Sequence, residues 1–83
     1  WNNRGYALGK LEKFEEAISS YDKAVDIKPN FYLAWNNRGN TLIQLERYEE
    51  SVASYDKAVE LKPDSHEAWN NRGYALGKLE KFE

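Results

Sequence analysis

The pentamer Trp-Asn-Asn-Arg-Gly occurs three times, opening at Trp1, Trp35 and Trp69, a constant step of 34 residues. Aligned on that step, residues 1–34 and 35–68 agree at more than half of their positions, and residues 69–83 repeat residues 1–15 without a change. Tyr21-Asp22-Lys23-Ala24-Val25 returns as Tyr55-Asp56-Lys57-Ala58-Val59, and Lys28-Pro29 returns as Lys62-Pro63. A unit this short cannot bury an apolar face alone. Repeats of this kind bury their faces against their neighbours, so the spacing predicts a stack rather than one enclosed core. An 83-residue chain would otherwise be marginal as a single domain.

Each unit reads as two helices. In the middle copy the first spans roughly 32–45, with Trp35, Gly39 and Leu42 on one stripe. A glycine inside a helix costs about 1 kcal/mol relative to alanine. Its return in every copy predicts a second helix passing too close for a Cβ. The second helix spans roughly 48–61, with Tyr48, Val52, Tyr55 and Val59 as its stripe and Ala58 as a small contact point. Pro63 stops it, and Lys62 before the proline is pushed out of the helical region as well. The short link at Glu46 and Arg47 makes the two helices antiparallel neighbours. The tryptophans, fixed on the stripe, read as core residues rather than stacking platforms for bases.

This pattern resembles the tetratricopeptide repeat over the whole chain. The matching residues are Trp35, Gly39, Leu42, Ser51, Tyr55, Ala58 and Pro63 in the middle copy. In the first copy they are Trp1, Gly5, Leu8, Ala17, Tyr21, Ala24 and Pro29, and the third shows Trp69, Gly73 and Leu76. Two positions depart from the family. Arg4, Arg38 and Arg72 stand where an apolar residue is usual, and Ser51 replaces alanine. The resemblance implies an all-α, right-handed α-solenoid of antiparallel helix pairs. It divides the single array, residues 1–83, into units of approximately 1–31, 32–65 and 66–83. The start at Trp1 and the absence of methionine lead us to expect a longer parent array, with Phe82 and Glu83 beginning a further helix.

Catalytic chemistry finds no support. The only histidine, His66, lies at a helix start beside Asp64 and Glu67, and no cysteine is present to share a zinc ion. Asp64 or Ser65 is expected to cap that helix. Glu15-Glu16 and Glu49-Glu50 occupy first-turn positions that complement the helix dipole. The glycines stand singly inside helices and form no phosphate loop. We therefore expect no enzyme activity and no cofactor. A net charge of -2 lacks the basic balance of a nucleic-acid binder. No apolar run approaches the roughly 20 residues of a membrane span. The lack of cysteine fits a reducing, cytoplasmic setting.

The asparagines are the informative departure, because asparagine is a poor helix former. Pairs recur at Asn2-Asn3, Asn36-Asn37 and Asn70-Asn71, with Asn40 added in the middle copy. The resemblance implies that first helices line a concave surface. In the repeats of O-linked N-acetylglucosamine transferases an asparagine ladder there grips a peptide main chain, and Asn3, Asn37 and Asn71 correspond to it. An amide both donates and accepts, which suits a peptide backbone of any sequence. The alternative is that these amides bridge adjacent units. One turn further on, Tyr6, Asn40 and Tyr74 would give side-chain contacts, with Ile43 as an apolar point between Gly9 and Gly77. First helices carry Arg4, Lys10, Arg38, Arg72 and Lys78 against the single acid Glu67, so the groove is expected to be positive and to favour an acidic partner. The arginines might instead lie in the helix interface if they pair with nearby carboxylates. Some family members bind chaperone C-termini through a basic two-carboxylate clamp. Asn2, Glu67 and Asn71 stand at its basic positions here, which argues against that clamp.

The leading expectation is a protein-interaction scaffold that holds an extended peptide. Head-to-tail self-association, and a substrate-recruiting arm of an enzyme whose catalytic domain lies elsewhere, are the alternatives.

Overall fold

A computed structural model describes residues 1–82. It contains five helices: α1 (Asn2–Lys10), α2 (Phe14–Ile27), α3 (Tyr32–Gln44), α4 (Tyr48–Leu61) and α5 (His66–Phe82). Phe82 ends α5 instead of beginning another helix, and Glu83 lies outside the described residues. The architecture is an all-α solenoid in which each helix packs on the next. The odd helices also touch one another, α1 on α3 and α3 on α5, whereas α2 and α4 do not meet. In a curved stack the closer layer is the inner one. The odd helices therefore form the inner, concave layer and the even helices the outer one.

The turns inside the pairs are alike. Lys13 N–H donates to the Leu8 carbonyl at 2.9 Å and Glu12 N–H to Gly9 at 3.0 Å; Arg47 and Glu46 repeat both bonds on Leu42 and Ile43, each at 2.9 Å. This is the Schellman pattern, which places one residue in the left-handed region. That residue is Glu12 (φ 60°) and Glu46 (φ 57°). Glycine would take the conformation without penalty, and a side chain there costs about 1–2 kcal/mol. Between units, Lys62 N–H closes the α4 helix on Ala58 at 2.9 Å before Pro63. Ser65 then caps α5, its Oγ accepting from Ala68 N–H at 3.3 Å and meeting the Tyr32 hydroxyl at 2.5 Å. His66 is exposed.

Small residues and two tyrosines fill the contacts: Ala17, Tyr21, Ala34, Leu42, Tyr55, Ala58, Ala68 and Ala75 are at most 2 % exposed. The repeated glycine has a definite reason at two sites. A Cβ on Gly5 would lie 2.7 Å from the Tyr21 ring, and one on Gly39 would lie 2.6 Å from the Tyr55 ring. The crowding comes from an aromatic side chain, not from the partner backbone. On α4 the buried line runs through Ser51, Ser54, Tyr55, Ala58 and Val59, while Tyr48 and Val52 are half-buried. Ser51 is tolerated in place of alanine because its hydroxyl donates to the Gly39 carbonyl at 2.9 Å.

The tryptophans correct the expectation of a uniform core role. Trp1 and Trp69 are about half exposed, at 54 % and 48 %, and Trp35 is half-buried against Ala58, Val59 and Ala68. The rings lie at the joint between units. Trp35 Nε1 donates to the Pro29 carbonyl and Trp69 Nε1 to the Pro63 carbonyl, each at 2.8 Å. A stripe position in a stack can face a joint as readily as an interior.

Candidate functional site

The inner layer brings the predicted residues of α1 and α3 together. A hollow of about 370 Å³ lies between them, lined by Tyr6, Lys10, Asn37, Asn40, Thr41 and Gln44 among others. Ile43, expected beside them, is half-buried and outside this hollow. Thr41 was not legible as a groove residue. It aligns with Ala7 and Ala75, and its hydroxyl donates to the Asn37 carbonyl at 3.1 Å, one helical turn back.

The amides form bridges across the joints. Asn37 Nδ2 donates to Asn2 Oδ1 at 3.2 Å, and Asn71 Nδ2 donates to Asn40 Oδ1 at 3.3 Å. Each bridge uses one N–H of an amide that has two, so the ladder keeps donors and acceptors to offer. The two bridges differ because Asn40 stands where Tyr6 stands one unit earlier. Asn40 draws Asn71 to itself, and its Oδ1 also accepts from the Tyr55 hydroxyl. The bond corresponding to Asn37–Asn2 would run from Asn71 to Asn36, and it is not made. Asn36 Oδ1 is accordingly buried without a hydrogen-bond partner.

Asn36 is a correction to the predicted contact set. It is 3 % exposed, and its Nδ2 donates to Glu67 Oε1 at 3.4 Å, so it serves the contact between α3 and α5 and has no surface to offer a ligand. Asn3 and Asn70 are exposed, and Asn2 and Asn71 are half-buried.

The arginines overturn the strongly positive groove. Arg38 reaches away from it, with Nε on Asp22 Oδ1 at 2.6 Å and Nη1 on Ser54 Oγ at 2.6 Å. Arg72 repeats the first bond on Asp56 at 2.5 Å, and Arg4 repeats the second on Ser20 at 2.5 Å. An arginine at this usually apolar site buries its stem among the helices and satisfies a buried serine and a carboxylate of the preceding unit. The signal was present in the repeat itself, because Arg, Ser and Asp recur together at Arg4/Arg38/Arg72, Ser20/Ser54 and Asp22/Asp56. What remains of the groove charge is Lys10 and Lys78. Each lies over a tyrosine of its own helix, Lys10 at 5.2 Å from the Tyr6 ring and Lys78 at 5.5 Å from the Tyr74 ring. Tyr6 and Tyr74 are 53 % and 54 % exposed, which leaves these ring-and-ammonium stations open to a partner.

Burial raises the phenol pKa of Tyr55, and that of Tyr21 less so, keeping both neutral at physiological pH. A neutral Tyr55 hydroxyl can donate to Asn40, so the inner wall is fixed by a group that holds its proton.

The roomiest hollow, about 610 Å³, lies elsewhere, against Glu46, Arg47, Tyr48, Glu49, Glu50, Ala53 and Leu79. A smaller one of about 360 Å³ occupies the corresponding place at Glu12–Glu16 and Leu45. Recurrence at the same repeat positions marks both as wedges left by the joint. Among the described residues no group of His, Cys, Asp or Glu side chains could hold a metal ion, and no helix is long and apolar enough to cross a membrane.

Residues 39–80 match the family described as TPR repeat, and residues 1–31 and 20–53 match the tetratricopeptide repeat. No curated protein sequence matches the chain. Among solved structures, the first TPR of Spaghetti (RPAP3) bound to the HSP90 peptide SRMEEVD superposes with a TM-score of 0.91 at 31 % identity, over 94 % of this chain and 62 % of that one. The first TPR domain of human RPAP3 gives 0.92 at 30 % identity, over 96 % and 63 %. The second TPR of Spaghetti, bound to the same peptide, gives 0.92 at 28 % identity, over 96 % and 74 %. The chain thus spans about three fifths of the length of the first two.

Proposed function

The chain belongs to the tetratricopeptide repeat family, a protein-interaction scaffold, and from that premise we propose that its concave face holds an extended, acidic peptide. The observation that supports this reading is the hollow between α1 and α3, where the bridged amides of Asn37 and Asn40 meet the Tyr6–Lys10 station. Amides of the ladder would bond the peptide main chain, which any sequence supplies. Lys10 and Lys78 would select for carboxylates, and Tyr6 and Tyr74 would offer flat apolar contact. Of the predicted set, Asn2, Asn3, Asn37, Asn40, Asn70, Asn71, Tyr6, Tyr74, Lys10 and Lys78 stay in this reading; Asn36 leaves it. The reading assigns the chain no reaction of its own and no nucleic-acid partner.

The peptide mode differs from a C-terminal carboxylate clamp, since Asn2, Glu67 and Asn71 occupy the clamp's basic positions. Selection of peptides from a random displayed library, followed by fluorescence anisotropy, tests the reading. Extended peptides rich in Asp and Glu are expected. Asn37→Ala with Asn71→Ala should weaken all of them alike, and Lys10→Ala with Lys78→Ala should weaken the acidic ones and flatten their salt dependence. Failure to enrich any peptide, or enrichment indifferent to these four side chains, rejects the reading. The peptide SRMEEVD is a ready control and is expected to bind weakly.

One observation favours a second kind of partner, another copy of the chain. Residues 69–83 are identical to residues 1–15, so each copy carries a duplicate of the segment that its own α2 packs against.

A further inference from the structure

The two identical segments meet different neighbours. In α1, Gly5 receives the Tyr21 ring and Arg4 Nη1 bonds Ser20, both from α2. In α5 the corresponding Gly73 has nothing within 4 Å of its would-be Cβ, and Arg72 makes only the Asp56 half of the arginine pattern. Conversely, α5 uses a face that α1 leaves open: Ala75 is buried against the stack, while its counterpart Ala7 is exposed. The middle helix shows that one first helix can use both faces at once. In α3, Gly39 receives Tyr55, Arg38 bonds Ser54 on one side and Asp22 on the other, and Ala34 and Leu42 are buried.

We propose that the chain associates with itself by helix exchange, α5 of one copy replacing α1 on α2 of a second copy. Tyr21 of the second copy would seat on Gly73 as it now seats on Gly5, and its Ser20 would take the free Nη1 of Arg72. Because the two segments are identical, every contact that α1 gives up is returned in kind. The new interface continues one that already exists inside the chain, in the same register. It is also better braced. Helix α1 is held by α2 and α3 alone, whereas α5 arrives already packed on α4 and α3. The contact is heterologous, each copy giving α5 at one end and accepting at the other, so it propagates as an open array. A second copy is the one partner whose surface is known to match, because the matching surface is α2 itself.

Helix exchange is one form of the self-association read above and falls with it if the chain stays monomeric. The test is light scattering coupled to size exclusion across a dilution series of the 83-residue chain, with Gly73→Ala and Gly5→Ala beside it. Wild type should gain mass with concentration. Gly73→Ala should lose that association, because the new Cβ would meet the incoming Tyr21 ring, while its monomer stays folded. Gly5→Ala should shift toward larger species, because it crowds the resident α1 and leaves Gly73 untouched. A wild type that is monomeric throughout overturns both self-association and exchange. A Gly73→Ala chain that associates like wild type overturns exchange alone and leaves end-to-end stacking. Gly73→Ala carries the test even if Gly5→Ala fails to fold, since Gly73 has no neighbour to disturb.

Discussion

Residues 1–15 and 69–82 spell the same sequence and fold into different things. At the first site the helix stops at Lys10 and the chain turns through Glu12 in the left-handed region; at the second the helix runs on to Phe82. The turn is therefore not written in Leu-Glu-Lys-Phe. A glutamate in a left-handed turn is unfavourable locally, and the cost is met where α2 docks and Tyr21 covers Gly5. Where no such helix packs, the same residues follow their helical propensity. The faces tell the same story. Helix α1 displays the half of a first helix that meets its own second helix, α5 displays the half that meets the preceding unit, and α3 is the sum of the two.

The comparison can be broken most severely at the ring that fills the glycine. Tyr55→Ala removes a fully buried aromatic and the donor to Asn40, and should cost about 3–5 kcal/mol in denaturant unfolding. Tyr21→Ala should cost less, because the helix it holds is packed on one side only. Alanine at the two kinds of glycine should then act with opposite sign. Gly39→Ala forces a Cβ to 2.6 Å from Tyr55 and should destabilise by about 1–3 kcal/mol as overpacking does. Gly73→Ala should stabilise the monomer by about 0.5–1 kcal/mol, the ordinary helical preference, measured at a concentration where the chain is monomeric.

Arginines sharpen the contrast further. Arg38→Ala leaves the buried Ser54 hydroxyl without its partner and should cost about 1–3 kcal/mol. Arg72→Ala breaks a partly exposed pair with Asp56 and should cost about 1 kcal/mol or less. Thermal unfolding of the two variants separates them. The smallest effect is expected at the joint where Arg47 meets Glu15 and Glu50. The Arg47 hydrogen bond holds the Glu50 carboxyl below its usual range. A depressed carboxylate contributes stability above its unfolded pKa and loses it as pH falls through the folded value. Glu50→Gln should therefore flatten the acid side of the stability profile slightly, and added salt should do the same to wild type.

Much of this was legible in the sequence. The step of 34 residues named the helices, and the bounds of α4 fell where Tyr48 and Leu61 are. What it could not say was which neighbour each stripe residue meets. A first helix in a stack touches a second helix on each side as well as other first helices, so periodicity marks Trp35 and Arg38 as inward without saying toward what. The tryptophans went to the joints for that reason, and the arginines went to Ser54 and Asp22 rather than to the groove. The asparagines were recognisable as unusual, yet the difference between the Asn37–Asn2 and Asn71–Asn40 bridges depends on Asn40 replacing a tyrosine and accepting from Tyr55. A linear reading sees that substitution but not its reach into the next unit.

The indole bonds carry one more consequence. Trp35 and Trp69 each lend their ring N–H to a proline carbonyl of the loop before them, while Trp1 has no printed partner for its own. Three chemically identical protons in one small chain therefore sit in two closed hinges and one open position. Their exchange with heavy water, followed as three resolved indole signals, would time the opening of each hinge separately, with Trp1 as the internal clock for bare solvent.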